Sequence, residues 1–367
     1  MIAEADRCTA LTATVSIAVS LTRLGTPRFA LDVAIARLGR RPRRTSTARP
    51  LVRTSEIGVI GLGRLARAAA PASALAARRF DTPVDRDWQS SSYSALTRHA
   101  DARAAQLFRQ PELAADDGAG RPRDHSLFAF PRGARHGSFL HGLLERIEFA
   151  PGADAPATRE LLARSLAREG YGAEWLPALT AMIDDVLGCA LDGARLRLRD
   201  LAPAQRVVEM GFEFPLAPLD CVRLNALLAA HDPLARAAPP LAFARTRGML
   251  TGFIDLVFEY QGRYFIADFK SNHLGSRIED YAPARLEHSI AEHRYDLQYV
   301  LYSVALQRFL RARLGAGYDP AAHFGGVYYL YLRGVRRASG ADYGVFHTRP
   351  SRVLIDALDA LFAGDGR

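Results

Sequence analysis

The stretch MLTGFIDLVFEYQGRYFIADFKS, Met249–Ser271, decides the fold. Two apolar runs, Leu250–Tyr260 and Arg263–Phe269, flank Gln261-Gly262 and read as the two strands of a hairpin. With Gln261-Gly262 as a two-residue turn, Tyr260 faces Arg263 and Asp255 stands directly opposite Asp268. Opposed residues project from one face with Cβ atoms roughly 5 Å apart. Lys270, two residues beyond Asp268, shares that face. Two acids and one ammonium thus fall into one cluster. A three-residue loop would break this register; a four-residue loop would keep it. Adjacent carboxylates in an apolar hairpin repel, so a shared proton, a cation or a metal must compensate. Oxygen donors suit Mg²⁺ or Mn²⁺. An ion-paired patch Asp255–Lys270–Asp268 on a solvated face satisfies the same pattern, and the residues alone leave both readings open.

Lys270 is distinctive in another way. The 367-residue chain holds 48 Lys and Arg residues, and Lys270 is its single lysine. Arg can replace Lys at most solvated positions. A lone lysine therefore marks a place where a compact, titratable ammonium does what a guanidinium cannot, unless it survives by chance on a surface. The lone lysine also excludes a P-loop ATPase or helicase, which needs Gly-Lys-Ser/Thr, because Lys270 follows Phe269. The formal net charge is +9, but residues 1–80 carry 14 Arg against 4 Asp and Glu, a net of +10. The remaining 287 residues are left with −1, so the basic balance that invites a nucleic-acid reading lies almost wholly in the first fifth of the chain. Cys8, Cys189 and Cys221 are far apart, which excludes a disulfide framework and an all-cysteine metal site. With 49% apolar residues a sizeable core is available. No run of about 18 uncharged apolar residues exists to span a membrane. Glu4 and Asp6 stand where a signal peptide wants positive charge, and the chain reads as cytoplasmic with no membrane partner.

Outward from the hairpin the chain divides in two. Residues 1–84 form a basic Arg/Ala-rich leader, expected to be of low order, with a run Arg40-Arg41-Pro42-Arg43-Arg44. Gly58–Ala66 within it imitates a dinucleotide fingerprint, with Asp81 twenty residues after Gly61. No second strand leads into Asp81, Pro71 interrupts the crossover helix, and no further βαβ units follow, so the match is weak. Residues 85–367 read as one domain. Helices are expected at Ser138–Ile147, Thr158–Ala167, Glu174–Leu187, Leu224–Ala230, His293–Leu314 (long and amphipathic) and Ser351–Phe362. Strands are expected at Arg206–Phe214 and Gly326–Leu332 besides the hairpin. The class is α/β, a mixed β-sheet flanked by helices. On the long helix Gln298 and Tyr302 stand i, i+4 and share one face, beside the basic Arg294. Surface hydrogen bonding explains that stripe as simply as a phosphate or base contact does.

Asp255, twelve intervening residues and then Asp268-Phe269-Lys270 resembles the core of the PD-(D/E)XK nuclease superfamily. The surroundings are similar to the C-terminal nuclease domain of the RecB family, the exonuclease V beta subunits. The likeness is carried by His293–Tyr302, Phe130-Pro131-Arg132-Gly133, Ser138-Phe139-Leu140-His141, His323–Val327, Leu332-Arg333-Gly334-Val335 and Gly344–His347. Asp85–Trp88 with Ser91–Ser94 resembles the start of that domain. The resemblance runs from about Asp85 to about Phe362 and implies a restriction-endonuclease-like core. It implies a Mg-dependent exodeoxyribonuclease, with Mn²⁺ as the other suitable ion, that hydrolyses DNA phosphodiester bonds in double-strand-break repair and recombination without a helicase motor of its own. By position it places His141, Asp255, Asp268 and the backbone carbonyl of Phe269 on the metal, Lys270 in catalysis with Asp268 and Asp255, and Gln298, Tyr302 and Arg294 on the DNA. Glu145, one turn after His141, falls either behind that ligand or on the plain surface. Partners implied are DNA and RecC- and RecD-like subunits. The alternative is a catalytically silent module that docks on a helicase-nuclease complex.

Overall fold

The computed structural model describes residues 88–97, 126–150, 152 and 155–364. The basic leader, the glycine stretch Gly58–Ala66 with Asp81, Cys8, and Asp85–Asp87 of the domain start all lie outside the described residues. The hairpin is the centre of the fold. Strand β3 (Thr246–Tyr260) and β4 (Arg263–Lys270) pair antiparallel with Tyr260 opposite Arg263 and Leu256 opposite Ala267, the expected register. The turn has positive φ at both central residues, 52° at Gln261 and 78° at Gly262. That is the type I′ geometry, whose twist matches the strands it joins.

Among the described residues six strands form one mixed sheet. β1 (Trp88–Ser91) runs parallel to the first part of β3, and β2 (Arg206–Leu219) runs antiparallel along nearly all of it. β4 then pairs parallel with β5 (Phe324–Tyr331), which pairs antiparallel with β6 (Val345–Thr348). Because β2 occupies one edge of β3, β1 and β4 must share the other. β1 ends beside Leu250, and the pairing with β4 begins at Leu256. The C-terminal ends of β1 and β4 therefore converge from opposite directions on residues 251–255. This opens a crevice of the kind that strand ends leave where a sheet divides.

Each face of the sheet carries helices and its own apolar core. One layer holds α1 (Ala134–Leu144), α2 (Pro156–Glu169) and α3 (Leu176–Gly188). The other holds α4 (Cys221–His231), α5 (Pro283–Glu292), α6 (Tyr295–Leu314) and α7 (Arg352–Ala363). No helix among the described residues is long and apolar enough to cross a membrane.

The long helix departs from expectation in two respects. It starts at Tyr295, because Arg294 is left-handed at φ 57° and forms an elbow after α5, which sequence periodicity did not reveal. It is also buried on nearly all sides, Ser303 and Gln307 included, since α5 and α7 pack against it as well as the sheet. The expected amphipathic stripe is absent for that reason.

Candidate active site

The site is built where β3 and β4 part. The register brings Asp255 level with Asp268, and there the Phe269 amide leaves the ladder and donates 2.8 Å to Asp255 Oδ2. His141 arrives from α1, whose Phe139, Leu140, Leu143 and Leu144 are buried in the same core as Leu256, Ala267 and Phe269 of the hairpin. Its Nδ1 lies 3.2 Å from the same Asp255 oxygen, and its ring meets the edge of Phe269.

Asp268 and Lys270 face the other layer. They are 2% and 6% exposed. Lys270 Nζ lies 2.6 Å from Asp268 Oδ1 and donates 2.5 Å to Gln298 Oε1. The ammonium also sits over two aromatic rings, 3.8 Å from the centroid of Tyr295 and 4.5 Å from that of Tyr329. Gln298 Nε2 donates 3.1 Å to the Tyr302 hydroxyl. The expected Gln298–Tyr302 pair is thus brought into the cluster, with its polar groups turned inward on Lys270 rather than outward.

Arg294 is not brought there, and the expectation of a DNA contact from it is corrected. The guanidinium is 1% exposed, holds Asp296 through two hydrogen bonds of 3.0 and 2.9 Å, and reaches the Pro239 carbonyl. It anchors the elbow that starts α6. Glu145 is an exposed C-cap residue of α1.

A further carboxylate joins the group. Glu209 lies between Val208, opposite Leu256, and Met210, opposite Ile254, and so is level with Asp255. Its φ of 53° is unusual for a side-chain-bearing residue within a strand. Glu209, Asp255 and Asp268 therefore occupy one level of three neighbouring strands. Sequence reasoning passed over Glu209 because no motif marks it; the available signal was a single acid inside the apolar run Val207–Phe212.

The electrostatics follow from this crowding. Burial, then the charges of Glu145 and Asp255, push the Glu209 carboxyl up to about 7. Burial, then Asp255, push Asp268 up to about 6 against the pull of Lys270. At His141 burial favours the neutral ring, but the hydrogen bond and charge of Asp255, with Asp268 behind it, outweigh burial and raise the imidazole. Two carboxyls that resist ionising, Glu209 and Asp268, crowded against Asp255, form a site that favours a cation.

Among the described residues no three His, Cys, Asp or Glu side chains stand ready as a metal cage. The donors are instead paired among themselves, His141 with Asp255 and Asp268 with Lys270. Even so, the residues fit a hard divalent ion. One imidazole and several carboxylates make a suitable donor set. Asp268 Oδ1, fully buried, receives no well-directed hydrogen bond despite the nearby ammonium.

The clamp around this site is Arg333. Its guanidinium is fully buried and donates to the carbonyls of Leu127, Phe128, Phe130, Pro131 and Ser271. It thereby ties the segment before α1 to the end of β4.

Comparison with known proteins extends the geometry. The family model of the PD-(D/E)XK nuclease superfamily matches residues 113–347. The RecBCD enzyme subunit RecB of Escherichia coli (strain K12) is 40% identical over 281 residues, covering 76% of this chain and 23% of that protein. RecB of Mycobacterium tuberculosis (strain ATCC 25618 / H37Rv) is 34% identical over 353 residues, 83% of this chain and 31% of its own length. RecB of Mycolicibacterium smegmatis is 34% identical over 328 residues, covering 78% and 30%. The chain spans between about a quarter and a third of the length of these relatives.

Proposed function

The chain belongs to the PD-(D/E)XK nuclease superfamily, and from that premise we propose that it is a metal-dependent DNA nuclease of the exodeoxyribonuclease V beta type. It hydrolyses phosphodiester bonds in double-strand-break repair and recombination. The observation that carries the reading is the buried Asp268–Lys270 pair set one strand from the His141–Asp255 pair. Residues 85–367 are the nuclease domain and residues 1–84 a leader appended to it.

His141, Asp255, Asp268 and the Phe269 carbonyl would hold Mg²⁺ or Mn²⁺. Such an ion, when bound, supplies Lewis acidity to the phosphoryl group and lowers the pKa of a bound water. Lys270 orients the attacking water and stabilises charge on the phosphorane-like transition state. Gln298 and Tyr302 act through Lys270. The chain Tyr302–Gln298–Lys270–Asp268 fixes the ammonium in one place, which is the preorganisation such a step needs. The relatives are RecBCD enzyme subunits by name, which supports RecC- and RecD-like partners for this chain, together with DNA.

The second reading is a silent docking module. The complete His141, Asp255, Asp268 and Lys270 set favours catalysis over it, since decay has no reason to retain a buried acid whose carboxyl is pushed up to about 6. The purified chain with linear DNA distinguishes them. Mg²⁺ should support release of nucleotides and EDTA should stop it. Asp268→Ala and Lys270→Ala should each lower the rate by about a hundredfold or more. Undiminished release from both folded variants rejects the assignment.

A further inference from the structure

Among the described residues only two Phe, Tyr or Trp rings are exposed, Phe253 at 63% and Trp88 at 57%. Both lie on the same face of the sheet. Along β3 the even positions Leu250 and Ile254 are buried, while Met249, Thr251 and Phe253 are not. β1 is in register with that pattern: Trp88 is opposite Arg247, Ser90 is opposite Met249, and the Ser90 and Thr251 hydroxyls lie 3.5 Å apart. On β2 the residue opposite Phe253 is Gly211, and a Cβ built there would come within 3.3 Å of the phenyl ring. The ring therefore leans over bare backbone with its other side open. Phe253 is two residues from Asp255, about 7 Å along the strand. It also stands within the crevice between the ends of β1 and β4.

Resting on the nuclease reading, we infer that Phe253 is the platform on which an unpaired base beside the scissile phosphate stacks. Trp88 receives an unpaired base further along. Base–aromatic stacking is open to any base but requires it to be out of the duplex, because paired bases already stack on one another. From the level of Arg247 to that of Phe253 the strand rises about 20 Å. Hydroxyls of Ser90 and Thr251 line the stretch between the rings, and one exposed acid, Glu213 on β2, borders it. With the chain beyond residue 80 at a net of −1, bulk attraction for phosphate is weak there, so stacking carries a large share of the hold.

The test uses the full chain and two fluorescein-labelled 20-mers, dT20 and a strand of the same phosphate count made wholly of abasic residues. Binding is read by anisotropy with Ca²⁺ in place of Mg²⁺. Phe253→Ala should weaken dT20 roughly tenfold and leave the abasic strand unchanged, while Phe253→Trp should restore dT20. The residue is exposed, so the Ala variant keeps its fold. Equal loss on both strands, no loss on either, or no binding of dT20 by the unsubstituted chain overturns the inference. An interface for a protein partner is then the remaining use of the ring. Failure of the nuclease reading shows separately, as absence of Mg²⁺-dependent cleavage of dT20 and of duplex ends by the unsubstituted chain.

Discussion

At the scale of single residues, the lone lysine is the point on which chemistry turns. Lys270 Nζ sits within 2.6 Å of Asp268 and 2.5 Å of Gln298, and over the rings of Tyr295 and Tyr329. A point charge with three donors fits that box. A guanidinium is larger, planar and never deprotonated, so charge conservation should not conserve function. Lys270→Arg is expected to lower metal-dependent nucleotide release by about a hundredfold or more. Overpacking should cost the fold about 1–3 kcal/mol in urea denaturation. An Arg variant with near-normal activity would show that only the charge matters. The lysine and its two acids were legible because composition and hairpin register converge on them. Glu209 was not, because only the pairing of β2 with β3 brings it level with Asp255. Arg294 was misread because a charged residue before an apolar helix looks solvated until Asp296 and the Pro239 carbonyl are seen to enclose it.

At the scale of elements, the hairpin turn carries avoidable strain. A type I′ turn wants φ above zero at both central positions, which Asn and Gly tolerate best. Gln261 holds φ 52° with an ordinary side chain, so Gln261→Asn should stabilise the fold by about 0.5–1 kcal/mol. The urea midpoint should rise with its slope unchanged; a fall in the midpoint would mean that Gln261 makes a contact worth more than the strain. A second prediction concerns the packing of α6 on α7. Asp359 is held by Arg308 at 2.5 Å and Arg311 at 2.7 Å. Burial alone would raise its carboxyl, but the hydrogen bonds and charges of the two arginines outweigh burial and hold it below the usual carboxylate range. A depressed folded pKa gives stability that is present above the unfolded value and lost as pH falls through the folded one. Asp359→Asn should therefore cost about 1 kcal/mol at pH 7, and the difference should begin to shrink below about pH 4 and disappear as pH falls through the lower folded value. A loss of equal size at pH 2 would assign it to packing instead. Elements with a regular period, the hairpin and α1 to α3, were legible in the sequence. The four-residue strands β1 and β6 are too short to show a period, and α5 is masked by its run into α6 through the Arg294 elbow.

At the scale of the whole molecule, the site exists only because two layers meet at one place. His141 belongs to the layer of α1, and Gln298 and Tyr302 to that of α6; the split edge of β3 lets His141 reach Asp255 while Gln298 reaches the Lys270 that pairs with Asp268. The sequence named most of these residues but held no sign of what fixes one layer against the other, since that bond is made by an arginine to backbone carbonyls. Arg333 is fully buried, has no carboxylate partner, and binds five carbonyls drawn from Leu127–Pro131 and Ser271. Burial pushes the guanidinium down to about 10, which leaves it charged at neutral pH and so dependent on those oxygens. Arg333→Ala would strand several buried acceptors at once, at a cost of about 3–5 kcal/mol. The loss should be local before it is global. Hydrogen exchange in residues 127–144 should quicken, and nuclease activity should fall with His141 set loose, while α6 and the β3–β4 hairpin keep their protection. Added Mg²⁺ at high concentration should recover part of the activity, because the ligands survive and only their alignment is lost. Uniform loss of protection across both layers would instead make Arg333 a support of the entire fold, and unaltered exchange at His141 would remove it from the positioning of the site.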